Sequence, residues 1–164
     1  MRLSTLTFTL AILLSTSLAY ATTCDKEDQI HALALNMYHE ARGEGRDAMQ
    51  MVGEVTLNRA DNKLFPSNVC EVVYQSKVDK SGNPIRGKCQ FSWYCDGKSD
   101  MPRDRVMWFN SVIIATALVN GTADIIGTNA THYHAKHVRP NWSKHYTKVG
   151  YYGGHVFYKV KNRL

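Results

Sequence analysis

The residues best suited to chemistry sit together in Tyr38-His39-Glu40-Ala41-Arg42-Gly43-Glu44-Gly45. Two carboxyl groups and a guanidinium lie at the end of a helical pattern that two glycines then interrupt. A carboxyl that keeps its proton near neutral pH serves as a general acid, and burial against apolar groups supplies that property. Glu40 is placed for it. On a wheel of 100° per residue it lies about 60 to 80° from the centre of the apolar face, beside Leu33, at the border between core and cleft. His39 points to the other side and is expected to be solvated.

The element that carries Glu40 is read from Ile30, Leu33, Ala34, Met37, Tyr38 and Ala41, whose spacing predicts a helix from about Asp25 to Arg42. A second helix is expected from Asp47 to about Arg59, packed against the first as a hairpin. Residues 68–75 are read as a short helix or strand. The turn cluster Asp79-Lys80-Ser81-Gly82-Asn83-Pro84, followed by an alternating Gln90–Tyr94, predicts a small β-hairpin. Pro102 opens a third helix, Arg103 to about Asn120, whose stripe of Val106, Phe109, Ile113, Ala117 and Leu118 marks it as the central core helix. Strands are expected at Thr131–Ala135 and His155–Val160, with a short helical or looped piece at Pro140-Asn141-Trp142. The class is α+β, a helical body with a small β portion.

Before this domain, Arg2, the apolar run Leu6–Leu18 and Ala19-Tyr20-Ala21 have the pattern of a signal peptide cut after Ala21. The run is short of the ~20 apolar residues a spanning helix needs, so no stable membrane insertion is expected after cleavage. Residues 22–164 then form one domain, expected to be a monomer in the periplasm or in the cell wall and extracellular space. Loss of Arg2 takes the formal net charge from +6 to +5. Such a protein is drawn to polyanions, but no block of Lys or Arg singles out nucleic acid, and the positive charge reads as thinly spread.

Four cysteines in an oxidising compartment imply two disulfides, with three pairings open. Cys89 and Cys95 are close enough to close a small loop, which leaves Cys24 with Cys70. With no C-x-x-C pair, the cysteines do not suggest a zinc site. His132 and His134 alternate on an expected strand, with His137, His145 and His155 nearby, and would be the start of a zinc amidase or peptidase site. No H-E-x-x-H accompanies them, and neither metal nor cofactor is expected. Three formal glycosylation sequons, at Asn120, Asn129 and Asn141, read as chance matches.

Ala34-Leu35-Asn36-Met37-Tyr38-His39-Glu40-Ala41-Arg42-Gly43-Glu44 resembles the opening motif of the SleB/CwlJ-type cell-wall hydrolases, the family of spore cortex-lytic enzymes. The likeness continues through Val55–Arg59, Phe65-Pro66, Val69-Cys70, Cys89-Gln90-Phe91-Ser92-Trp93, Thr131–Ala135, Pro140-Asn141-Trp142 and Gly150–Tyr158. It implies a lysozyme-like α+β catalytic domain and cleavage of peptidoglycan, most simply as a lytic transglycosylase with Glu40 as its one acid. Arg42 and Glu44 would hold that acid in place. Gln90, Phe91, Tyr133, His134 and Trp142 would contact the saccharide, by stacking and hydrogen bonds. A hydrolytic muramidase would instead need a second carboxylate about 5 to 9.5 Å from the first. Glu44, Glu54, Glu71 and Asp96 are available, though Glu54 falls where the family's pattern has a small apolar residue. A non-catalytic wall-binding module would keep the aromatic wall and dispense with Glu40.

Overall fold

The computed structural model describes residues 24–126 and 129–160. The signal peptide expected at 1–21 lies outside them. Helix α1, Lys26–Ala41, starts at Asp25, whose side chain accepts from the Asp28 backbone while the Asp28 side chain accepts in return. That reciprocal cap satisfies two of the N–H groups a helix start leaves free. Helix α2, Arg46–Ala60, follows after a turn in which Gly45 takes a φ of 89°, a left-handed backbone suited to glycine. Helix α3, Val69–Val73, is capped by the Asn68 side chain, which settles the ambiguous 68–75 stretch as helical.

Strands β1 (Ser76–Val78) and β2 (Pro84–Cys89) form the expected hairpin around Asp79, whose side chain accepts from the Ser81 and Asn83 backbones. The expected strand at Gln90–Tyr94 is absent; Ser92–Cys95 is a turn of 3-10 helix. The Cys89–Cys95 disulfide holds two Cα atoms 6.1 Å apart across six residues, whereas six residues of strand would span about 20 Å. In this tight form both Phe91 and Trp93 point into the core. A second disulfide, Cys24–Cys70, ties the start of α1 to α3.

Helix α4 is Arg105–Val119, capped by Asp104. The centre of the core is α1, not α4. Every residue from Ala32 to Tyr38 is buried, and α1 packs on α2, α3 and α4 together. Of the stripe expected to bury α4, Leu118 is buried as expected, but Val106, Phe109 and Ile113 are exposed, and the helix also buries Ser111, Ile114 and Ala115. An apolar helix with little polar contrast does not announce its buried side. The side with small residues wins, because it lets α4 approach α1 closely.

The last layer is an antiparallel sheet in the order β3-β5-β4: β3 His132–Ala135, β4 Tyr146–Tyr152 and β5 His155–Val160. A 3-10 turn at Asn141–His145 leads into β4. Strand β4 escaped the sequence reading because a shift in register between Lys148 and Gly150 spoils its alternation. The positive charge is also not thinly spread. Residues 125–164 contain seven Lys or Arg and no Asp or Glu, while 22–124 contain twelve against fourteen. Among the described residues, no helix is long and apolar enough to cross a membrane.

One polar network lies within the core. Asn36, fully buried, donates to Thr56 Oγ1 at 3.1 Å and accepts from Trp93 Nε1 at 3.1 Å, joining α1, α2 and the 89–95 loop. Replacing Asn36 by Ala strands the Trp93 N–H, which costs about 1–3 kcal/mol for one unsatisfied buried group. The expected outcome is a lower denaturation midpoint with little change in the slope of the transition.

Candidate active site

Glu40 occupies the last turn of α1, one turn beyond Asn36, so the rigid core beneath it sets its position. Tyr133 of β3 reaches across from the sheet, and its hydroxyl donates to Glu40 Oε2 at 3.0 Å. The Glu40 carboxyl is pushed above its ordinary 4.5 by burial, opposed in decreasing order by the Tyr133 hydrogen bond and the charges of His155, His39 and Arg59. Burial and the adjacent carboxyl raise the Tyr133 hydroxyl well above its ordinary value, so it stays a donor. The pair is a carboxyl that tends to keep its proton and a phenol that does not lose one.

Arg59 of α2, which the sequence reading passed over, lies beside this pair. It is 4% exposed, donates from Nε to Thr131 O at 2.7 Å, and its guanidinium sits 5.5 and 5.4 Å from the ring centres of Phe65 and Phe91. Its Nη1 is buried with no hydrogen-bond partner among the described residues. Burial lowers the guanidinium's pKa, and the Tyr133 and Glu40 charges oppose that shift. The sequence offered one clue, a cation in a helical pattern flanked by core positions.

Glu44 acts on the sheet. Its Oε2 accepts from Gly154 N and stands 3.2 Å from His155 Nδ1, in reach of an ion pair when the ring is protonated though not aligned as a hydrogen bond. Any side chain at Gly153 or Gly154 would collide with it, since a Cβ there would lie 2.6 and 2.8 Å from its carboxylate oxygens. His155 in turn packs edge-on against Tyr133 at 5.2 Å. No hydrogen bond joins Glu44 to Glu40 among the described residues; Glu44 instead holds the hairpin turn and His155, whose charge acts on Glu40. Arg42 is exposed, lies over the Tyr38 ring at 4.9 Å and donates to Tyr38 O at 3.4 Å. The expectation that Arg42 and Glu44 grip Glu40 as a pair is corrected: the side chain hydrogen-bonded to it is Tyr133.

A cleft of about 690 Å³ opens beside Glu40, with His39, Ser92, Trp93, Asp96 and Arg103 among its walls. A second hollow of about 300 Å³, formed by residues 39–44, shares His39, Glu40 and Arg42 with the first. Glu40 lines both, so its carboxyl can be approached from either. His39 is not simply solvated. It stacks on Trp93 at 4.8 Å and 16°, and its Nε2 is 3.0 Å from the Asp100 carbonyl.

The expected saccharide contacts divide. Tyr133 meets Glu40. Phe91 does not line the cleft: it is 3% exposed and packs beneath Arg59, so it is a core residue. Gln90 is exposed but outside both hollows. His134, Trp142 and Tyr133 itself line neither; side chains alternate along β3, so His134 faces away from the Tyr133 side, and Trp142 of the 141–145 turn packs on the His134 side. His134 bonds the Tyr158 hydroxyl at 2.9 Å, and Trp142 packs against His132, His134, Tyr146 and Tyr158. His132 is drawn down to about 4 by burial and then by Arg59, which keeps it neutral. Among the described residues no three His, Cys, Asp or Glu side chains gather as a metal site.

Of the four possible second carboxylates, Asp96 shares the main cleft, where the Lys98 backbone N–H, and after it the Lys98 side chain and the Arg86 charge, hold it below its ordinary value. Glu54 is buried, and its Oε1 accepts from Gln50 at 2.9 Å and Ile126 N at 2.8 Å, anchoring a loop. Glu71 is an exposed residue of α3, outside both hollows.

Comparison with known proteins places this geometry. A model of a family described as Cell Wall Hydrolase matches residues 43–158. The chain belongs to the cell wall hydrolase family. The matched segment begins three residues after Glu40 and does not include it. Among solved structures, the catalytic domain of the germination-specific lytic transglycosylase SleB from Bacillus anthracis shares 23% identity, with 80% of this chain and 93% of that one covered and a TM-score of 0.59. The catalytic domain of the Bacillus cereus SleB protein shares 25% identity over 81% and 91% of the two chains, with a TM-score of 0.58. Curated protein sequences contain no match. This cell wall hydrolase is an enzyme that cleaves peptidoglycan, its α+β fold is that of the SleB domains, and its two disulfides suit an exported protein.

The electrostatics of Glu40 have a sign that can be measured. Its folded pKa lies above the unfolded value, so its contribution to stability is fully present below that value and is lost as pH rises through the folded one. Glu40→Gln removes this loss. The variant is expected to melt a few degrees above wild type at about pH 7 and level with it at about pH 4. Tyr133→Phe removes a bond that favours the ionised carboxyl, so the alkaline limb of the activity profile moves to higher pH.

Proposed function

We propose that this enzyme is a lytic transglycosylase that cuts the β-1,4 bond between N-acetylmuramic acid and N-acetylglucosamine, with Glu40 as its single general acid and base. The observation that carries the reading is the half-buried Glu40 carboxyl, raised in pKa and fixed by Tyr133 where two hollows join. Tyr133 occupies Oε2 and leaves Oε1 to carry the proton. Glu40 gives that proton to the glycosidic oxygen as the bond to the muramyl C1 breaks. The resulting carboxylate then takes the proton of the muramyl 6-hydroxyl as its oxygen closes onto C1. The product is a 1,6-anhydro ring, and Glu40 regains its proton for the next cycle. No water is consumed, so one carboxyl suffices.

Asp96 favours a second reading, a hydrolytic muramidase. It lines the same cleft and is held in the ionised form that a nucleophile or water-activating base requires. The same proposal includes export by the leader at residues 1–21.

Mass spectrometry of the muropeptides released from purified sacculi separates the two. Anhydro-muramyl ends are expected from wild type, with Asp96→Asn close to wild type in rate and Glu40→Gln slower by about 10²–10⁴-fold, the usual worth of a positioned acid or base. Reducing muramic ends that disappear in Asp96→Asn would establish the muramidase instead. Full activity in Glu40→Gln would remove Glu40 from either mechanism.

A further inference from the structure

The three-stranded sheet carries a charge distribution that the cleavage chemistry does not use. Five of the seven cations beyond residue 124 fall among the described residues: Lys136, Arg139, Lys144, Lys148 and Lys159, all of them exposed. Two converge on one ring. Lys136 Nζ lies 5.7 Å and Lys148 Nζ 5.0 Å from the centre of Tyr151, and Lys148 Nζ also donates to the Tyr151 hydroxyl at 3.2 Å. Tyr151 is itself 58% exposed. None of Lys136, Arg139, Lys148 or Lys159 reaches a described carboxylate, and Glu44, the acid bound at the adjoining turn, is engaged by Gly154 and His155. Like charges held together without a counter-charge raise the local potential and attract an anionic partner.

We propose that the face built on Lys136, Lys148 and Tyr151 docks the carboxylates of peptidoglycan's peptide stems and so retains the enzyme on its insoluble substrate. The proposal rests on peptidoglycan as the substrate. Charge complementarity with the substrate itself selects the stems over other polyanions, because stem carboxylates surround an enzyme working on the wall. Lys136 directly follows β3, the strand that brings Tyr133 to Glu40, and its N–H bonds Gly154 O at 2.8 Å in the turn that Glu44 grips. Tyr151 pairs with Val156 and Val156 with His134, so the cluster lies on the sheet face turned away from Tyr133 and is open to stems of the surrounding wall. The ammonium groups pair with carboxylates as mobile point charges, and the aromatic ring keeps them gathered through cation–π contact. Such binding is ionic and tolerant of stem sequence.

The test reads binding and not product, so it is independent of whether Glu40 acts as a transglycosylase. Full-length mature Glu40→Gln protein is sedimented with purified sacculi. The bound fraction is expected to fall severalfold as salt rises to about 1 M, where the screening length is about 3 Å. It should fall as far at low salt when Lys136→Gln and Lys148→Gln are added, or when the stem carboxylates are amidated. With active enzyme, the same double substitution should slow digestion of whole sacculi and leave turnover of soluble glycan fragments unchanged. Unchanged melting of these exposed-site variants excludes misfolding. Wild-type retention in the double variant, retention on amidated sacculi, or stronger binding to phosphatidylglycerol vesicles than to sacculi would each overturn the proposal.

Discussion

The hydrogen bond from Tyr133 to Glu40 is the contact on which the site depends. A carboxyl drawn partly out of water resists ionisation, and left alone it would swing toward solvent or find a cation. The phenol prevents both at modest electrostatic cost, since it fixes one oxygen without adding charge. The same bond joins the molecule's two parts. Glu40 belongs to the helical body and Tyr133 to the sheet, so any change in their relative seating changes the acid.

That seating is enforced on both sides of the bond. Beneath Glu40, Asn36 links α1, α2 and the disulfide-closed loop, and a single helical turn transmits this rigidity to the carboxyl. Behind Tyr133, Glu44 clamps the β4–β5 turn while His155 and Phe157 pack against the phenol ring. Arg59 closes the arrangement from α2, tied to the Thr131 carbonyl next to β3. It is a buried cation that opposes the rise in the Glu40 pKa without abolishing it. The outcome is a site assembled from three elements, each held by contacts outside the site.

The division of charge follows the same two-part plan. The helical body is close to neutral and carries the acid and most of the cleft. The sheet region carries cations with no acid to balance them. An enzyme on an anionic, insoluble polymer faces conflicting demands, because strong attraction near the acid would raise its tendency to ionise. Placing the cations on the outer face of a separate layer, beyond Tyr133, allows attraction without that penalty.

Local spacing and punctuation determined much by themselves: the α1–α2 hairpin, the start of α1 near Asp25, the strands at 132–135 and 155–160, and Glu40 at the rim of the core. These are legible because each rests on a period, a capping side chain or a glycine within a few residues. Even the absence of acids beyond residue 124 was written in the sequence, although it gains meaning only once those residues share one sheet. What required the tertiary structure was every choice among equals. Helix α4 is apolar on several sides, and only packing against α1 decided which side is buried. Phe91 and Trp93 have the spacing of one strand face and are both buried, but the Cys89–Cys95 closure makes the backbone that carries them a 3-10 turn and not a strand. Tyr133, His134 and Trp142 look alike as aromatic wall residues, but the pleat of β3 sent Tyr133 to the acid and His134 to the opposite face, where Trp142 of the 141–145 turn packs on it. Arg59 lies 19 residues from Glu40 and Tyr133 lies 93 away. Periodicity reports which side of an element is apolar, but not which distant side chain will meet it there.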